Sequence, residues 1–410
     1  MFRRWILAAT GLLIINTGAV GQTIRSTGPG AWGSATRLVE ELRIGTLEGD
    51  QAYTFGQIEA IVVGKGGEII VAEFEPARLR MYGANGRLIR EIGGIGSGPG
   101  EYRDISGLKV LQDGSIAIWD GQTGRITKYD SNGQYRTSHA FKTGFFTADM
   151  FQVDRAGNFY VKAAGKNRQR SGTFAMDEPI IWIKLNPAGA VVDTIPVPQG
   201  ESPSLEMYGG PGNSRVDPLL AALSPFGYFV TGAPLRYAID VQRPGKPLRI
   251  ERTHTPVRLA GAERAEWNAM ADHLSKQPIG MSMRRNQNGG TDTIFGPTVK
   301  YAAPEIKPVF RALQVDDEGR IWVERHVAAR RVPPGSSARA PISKDPRPPI
   351  TWREPATYDV FEPDGRFLGT VTAPDKTTFH ARRGRHIWAV QRGEFDEPYI
   401  VRYRIESTGR

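Results

Sequence analysis

Eight residues ahead of five glycines spaced along the chain stand Glu59, Ser106, Asp149, Leu219 and Arg311, and a sixth position, Thr377, joins them with a one-residue shift. Two further acids, Asp104 and Asp217, precede members of this series by two positions. Carboxylates, hydroxyls and carbonyls gathered at one point are the donor set of a calcium ion. Such a centre would polarise a bound carbonyl and serve a hydrolase or a lyase. Arg311 at the same level opposes a cation. The competing reading is therefore a polar mouth that binds an organic ligand through Glu59, Asp104, Ser106, Asp149, Asp217 and Arg311, with no cofactor.

A second series pairs an acid with an arginine five residues on, Glu73 with Arg78 and Asp120 with Arg125. At one spacing in two neighbouring units, these read as a repeated salt bridge fixing a loop, with a ligand rim as the alternative. The six histidines (139, 254, 273, 326, 380 and 386) show no H-E-x-x-H spacing. His326 and His380 remain the candidates for a base. No G-x-S-x-G marks a serine nucleophile. With no cysteine in the chain, thiolate metal sites, disulfides and a lipid-modified cysteine anchor are excluded.

The stretch GGIGSGPGEYRD, residues 93–104, invites a phosphate-cradle reading. A dinucleotide fingerprint needs G-x-G-x-x-G between a strand and a helix. Counted from Gly94 or Gly96, the last glycine position holds Pro99 or Glu101, and the residues that follow alternate as a strand. The stretch reads as a connector.

The elements that must position these residues come from two kinds of glycine turn. RLRMYGANG (78–86) and RITKYDSNG (125–133) align without gaps, and each is preceded by another turn, KGGEIIVAE (65–73) or QDGSIAIWD (112–120). The inner turn recurs at Gly157, Gly227 and Gly319, and in RRGRHIWAV with the one-residue shift. The outer turn recurs at Gly189, Gly245, Gly365 and, weakly, Gly409. Four residues before each outer glycine stand Tyr82, Tyr129, Leu185, Val241, Phe361 and Ile405, apolar in all six units. Strand, turn, strand, loop, strand, turn, strand, six times over, predicts an all-β fold: a six-bladed β-propeller of four-stranded antiparallel blades.

GIGSGPGEY followed by DGSIAIWD, with the NGR and NGQ outer turns, resembles the bacterial exported six-bladed propellers with NHL-like repeats. That resemblance covers the chain beyond its first 21 residues and implies the fold. It leaves activity open, because this architecture hosts binders, lactonases and lyases.

MFRRWILAATGLLIINTGAVGQ has a basic start, an apolar run from Trp5 to Ile15 and small residues before Gln22. It predicts a signal peptide over 1–21, cleaved near Gly21–Gln22, and release to the periplasm or beyond. The apolar run is too short for a membrane span, which needs roughly 20 residues. Residues 22–36 read as a linker. RLVEELRIG, residues 37–45, reads as the strand that closes the ring within a propeller domain of 37–410.

Two segments exceed the blade pattern. In 254–309, between blades four and five, GAERAEWNAMADHLSK places Trp267, Met270, Ala271 and Leu274 on one helical face. The run after it, GMSMRRNQNGGTDTIFGP, is flexible by composition. The second segment, about 327–352, is rich in proline and arginine and reads as a solvated excursion. The formal charge of +10 is dispersed along the chain, which argues against nucleic acid. The expectation is a monomeric, non-enzymatic binding or scaffold propeller for a protein or envelope component. The alternative is a lactonase-like enzyme with Ca2+ in its channel.

Overall fold

The structure, a computed structural model, describes residues 21–33, 35–140, 147–164, 180–198, 200, 207–210, 216–217, 219–278, 281–285, 291–332 and 347–408. The predicted signal peptide, apart from Gly21, and the turn at Gly409 lie outside the described residues.

Six sheets carry the chain. Blade 1 is built from Ile58–Val63, Ile69–Glu73, Arg78–Tyr82 and Leu88–Glu91. Blade 2 runs from Gly107–Val110 to Tyr135–Ala140, and blade 3 from Thr147–Val153 to Val191–Pro196. Blade 4 spans Leu220–Leu223 to Leu248–Arg252. Blade 5 joins Phe310–Val315, Ile321–Arg325, Thr357–Phe361 and Phe367–Thr372. In blade 6, Thr377–Arg383, His386–Arg392 and Pro398–Ser407 are completed by Thr36–Ile44, antiparallel to the last of them. The predicted architecture, a six-bladed propeller of four-stranded antiparallel blades, is the observed one.

The turn glycines have a conformational reason. Gly86, Gly133, Gly189, Gly245 and Gly365 have φ between 71° and 89°, a region residues with a Cβ avoid. The six apolar residues four positions earlier are each at most 1% exposed. Each sits in a cluster between neighbouring blades, and six such clusters close the circle. The one-residue shift of the sixth inner turn also has a cause. Val63 pairs with Ile69 across five residues in blade 1, whereas Arg383 pairs with His386 across two in blade 6.

Residues 22–36 are not a free linker. Gln22–Ser26 lies parallel to Leu248–Arg252 as a fifth strand on blade 4. Ala31 and Trp32 donate their N–H groups to Phe367 and Leu368 at the rim of blade 5. Thr36–Ile44 then completes blade 6, so residues 22–44 form a belt around three successive blades. Five residues with one apolar side chain between polar neighbours are too short to read as a strand. Pairing with an open sheet edge supplies what their own pattern lacks.

Helix α1, Gly261–Leu274, buries Trp267, Met270 and Ala271. Their partners are Tyr208, Leu259 and Tyr301 in a seventh cluster, separate from the ring. The segment read as flexible contains a hairpin of Met281–Arg285 with Thr291–Phe295, and 286–290 between them lie outside the described residues. Of the second excursion, 333–346 lie outside them too. Among the described residues no helix is long and apolar enough to cross a membrane.

Candidate functional site

Antiparallel blades put two kinds of loop at one end of the ring. Each inner strand begins where the connector from the previous blade arrives, and the second strand of each blade ends there. Both excursions, 254–309 before the inner strand of blade 5 and 326–356 after its second strand, therefore meet at this end.

Beside them a partly open pocket is lined by Gly209, Val216, Asp217, Leu220, Pro234, Pro308, Phe310, Arg311 and His326. The wall beside it is a cluster of buried charges. Glu354 accepts Arg311 Nη2 at 2.6 Å, Lys307 Nζ at 2.9 Å, the Val327 N–H at 2.9 Å and His326 Nδ1 at 3.1 Å. Lys307, with no exposed side-chain surface, also reaches Glu263 of α1 at 2.5 Å and the Val327 carbonyl at 3.0 Å. Arg311 stands 3.6 Å from Glu324. Trp267 roofs the group, its ring centre 5.7 Å from Lys307 Nζ and 6.0 Å from the His326 ring. Gly210, at φ 94°, leaves room for the Trp267 ring, which a Cβ there would meet at 2.6 Å.

Burial alone would raise the Glu354 carboxyl. The His326 hydrogen bond and the charges around it, with Arg311 and Lys307 among them, outweigh burial and hold it at about 2. Burial pushes His326 below its usual range, because Glu354 only partly offsets the loss of water and Arg311 and Lys307 oppose a third positive charge. His326 is thus neutral at pH 7, with Nδ1–H donated to an ionised Glu354. That tautomer leaves Nε2 as a lone-pair acceptor on a ring that lines the pocket. Burial also raises Glu263, against the pull of Lys307. Lys162 of blade 3 is lowered by burial, an effect that nearby Asp217 reduces.

Of the candidates from sequence, the pocket brings Asp217 and Arg311 together. Glu59 is exposed at the start of the inner strand of blade 1. Ser106 donates to Asp104 and accepts the Gly121 N–H at 3.1 Å, so this pair ties a connector to a loop. Thr377 opens the inner strand of blade 6. Asp149 falls on the inner strand of blade 3, with its side chain outside the described residues. Among the described residues no three His, Asp or Glu side chains are grouped to hold a metal ion.

The acid–arginine pairs need correction. Glu73 and Arg78 are cross-strand partners, as are Asp120 and Arg125, yet neither forms the expected ion pair. Glu73 binds Arg80, its diagonal neighbour, at 2.5 Å, with Arg80 0% and Glu73 5% exposed. Arg80 also donates to the carbonyls of Gln51, Ala52 and Thr54, which a more exposed Arg78 cannot reach. Arg78 stands 3.7 Å from exposed Glu91. Arg125 turns to the carbonyls of Ser97 and Glu101. What does repeat is the acid. Glu73 accepts the N–H of Gly56 and Asp120 that of Arg103, each 17 residues upstream, so both fasten a connector.

The 93–104 stretch is such a connector. Gly94–Ile95 pairs with Glu101–Tyr102, and the Tyr129 hydroxyl donates to the Gly100 carbonyl at 3.1 Å. A Cβ on Gly93 would lie 2.5 Å from that carbonyl oxygen, which accounts for glycine there.

The sequence reading missed Glu354, Lys307 and Glu263. They come from segments without a shared spacing, and only the fold brings them into contact.

A family model described as a 6-bladed beta-propeller matches residues 37–180. No curated protein matches the chain. Solved structures similar to it include a protein of Bacteroides fragilis described as exported, with 11% identity, a TM-score of 0.48, and 94% of this chain and 100% of that one covered. Virginiamycin B lyase from Staphylococcus aureus, in a catalytically inactive form with quinupristin, is 11% identical at a TM-score of 0.38, covering 90% and 99%. A gluconolactonase from Xanthomonas campestris is 10% identical at 0.39, covering 90% and 100%.

Proposed function

We propose that the protein is an exported, non-enzymatic binding propeller that holds a small organic ligand in the pocket under α1. One observation carries this reading. His326 is 4% exposed and lines the pocket, and its Nδ1 is committed to Glu354. With Nδ1 so engaged, Nε2 of the neutral ring is an acceptor that can take an O–H or N–H donor from a ligand. Phe310, Pro234, Pro308 and Leu220 supply apolar walls, and Arg311 and Asp217 add charge of both signs.

Native mass spectrometry of the exported protein, purified without chelator, tests this. The expected result is an organic mass increment that His326→Ala loses. A bare chain from several growth media, with no ligand-induced stabilisation in a metabolite screen, would remove the reading.

A second reading, a hydrolase or lyase in the channel, has one observation in its favour. A neutral histidine oriented by an ionised carboxylate can accept a proton from a bound substrate. The lactonase-like form of this reading requires Ca2+ on Glu59, Asp104, Asp149 and Asp217. In the same spectra that form predicts a calcium-sized increment removed by chelator.

A further inference from the structure

We propose that the loops of blades 6 and 1, at the same end of the ring but apart from the pocket, form a docking surface for a cationic, apolar-bearing segment of a partner protein. Three large apolar side chains stand out from these loops: Leu47 (46% exposed), Phe74 (40%) and Phe395 (73%). Leu47 lies in the connector from blade 6 to blade 1, Phe74 in the mid-blade loop of blade 1, and Phe395 in that of blade 6.

The three loops adjoin. Gly45 lies against Pro398 and Tyr399, and the Phe74 N–H donates to the Gln57 carbonyl at 2.8 Å. They are also held firmly. Buried Arg80 binds three carbonyls of the connector, and the Tyr82 hydroxyl donates to the Ala52 carbonyl at 2.7 Å. In blade 6 Glu397 accepts the Phe395 N–H at 2.9 Å, and Lys376 donates to the Gly393 carbonyl at 2.9 Å. A fixed loop that exposes an aromatic ring loses little entropy when the ring is covered.

Charge identifies the occupant. Residues 45–57, 74–77 and 393–397 together hold six carboxylates and no lysine or arginine, in a chain of net charge +10. Glu48, Asp50, Glu75 and Glu394 are exposed and have no ion pair among the described residues. Apolar anchors ringed by unpaired carboxylates suit a basic segment that also carries apolar side chains. An anionic membrane surface would be repelled.

Fluorescence anisotropy of the chain from residue 22 tests this, with a labelled amphipathic lysine–leucine peptide and an all-lysine peptide as probes. The lysine–leucine peptide should bind saturably and more tightly than the all-lysine one. Phe395→Ser or Leu47→Ser should weaken it about tenfold, the effect of losing one buried apolar anchor. Glu48→Gln with Glu394→Gln should weaken it at low salt. Phe226→Ser, in an inner turn at the opposite end, should change nothing. No saturable binding, or binding unaltered by Phe395→Ser and Leu47→Ser, overturns the proposal. So does a wild-type dimer that Phe395→Ser dissociates in sedimentation, because the occupant is then a second copy.

Discussion

Replacing Lys307 with methionine tests whether the charge cluster holds the α1 cap to the ring. The ammonium lies 2.5 Å from Glu263 and 2.9 Å from Glu354, with no exposed surface. At an effective dielectric of about 20, each pair at a charge separation of ~4 Å is worth ~4 kcal/mol. The gross loss of ~8 kcal/mol is offset by no longer burying the ammonium, and a broken buried pair of this kind costs about 3–5 kcal/mol net. Glu354 keeps Arg311 and the Val327 N–H, so the burden falls on Glu263, whose carboxyl burial already raises. Without Lys307 it rises further. A carboxyl raised in the folded state contributes stability at low pH and loses it as pH climbs through the folded value. The deficit of Lys307→Met should therefore shrink between pH 8 and pH 5. Adding Glu263→Gln should recover about half of it at pH 8. Urea unfolding gives the free energies, and hydrogen exchange of 261–274 shows whether the cap opens before the ring. A deficit below about 1 kcal/mol, or one that neither pH nor Glu263→Gln alters, would refute the reasoning.

Other outcomes follow from the same contacts. Burial lowers His326, and it brings His380 to about 4 with help from Arg382. The His380 ring should stay neutral at pH 6 in histidine-labelled NMR spectra, and the stability that both rings contribute above their ordinary 6.5 should be lost progressively as pH falls from there through the lowered values. Arg80→Met should cost about 3–5 kcal/mol in urea unfolding, because it strands Glu73, whereas Arg78→Ala should cost under about 1. Gly30→Ala should destabilise by about 2 kcal/mol or more in the same assay, because its Cβ would overlap the Leu368 carbonyl.

The fold was legible because its signals are local. A glycine at positive φ and an apolar residue four positions before it are demands of a single hairpin, and the hairpin repeats. The inner series was legible as a level in the ring but not as a site. Glu59 and Arg311 share that level, yet which side chains converge depends on loops that the repeat does not specify. Arg80 illustrates the limit. From sequence, Arg78 is the directly opposed partner of Glu73, but the carbonyls that select Arg80 belong to the connector at 45–57. In blade 2 the matching residue is Thr127, so the arrangement could not repeat. Glu354 and Lys307, 47 residues apart in two excursions, carried no signal until both were folded over the same strand.

The belt of residues 22–44 has a consequence for the order of events. Its partners are Leu248–Arg252, the Phe367–Leu368 carbonyls and Pro398–Ser407. A chain that emerges N-terminus first offers these strands well before anything exists to receive them. Blades 1 to 3 can pair internally as they appear, while the earliest segment waits for the latest one. Contacts across more than 200 residues form slowly, and for that interval the edge strands are exposed to other chains. The seam that leaves the mature ring without a gap in blade 6 is therefore also the interval in which the unfinished protein is most open to mispairing.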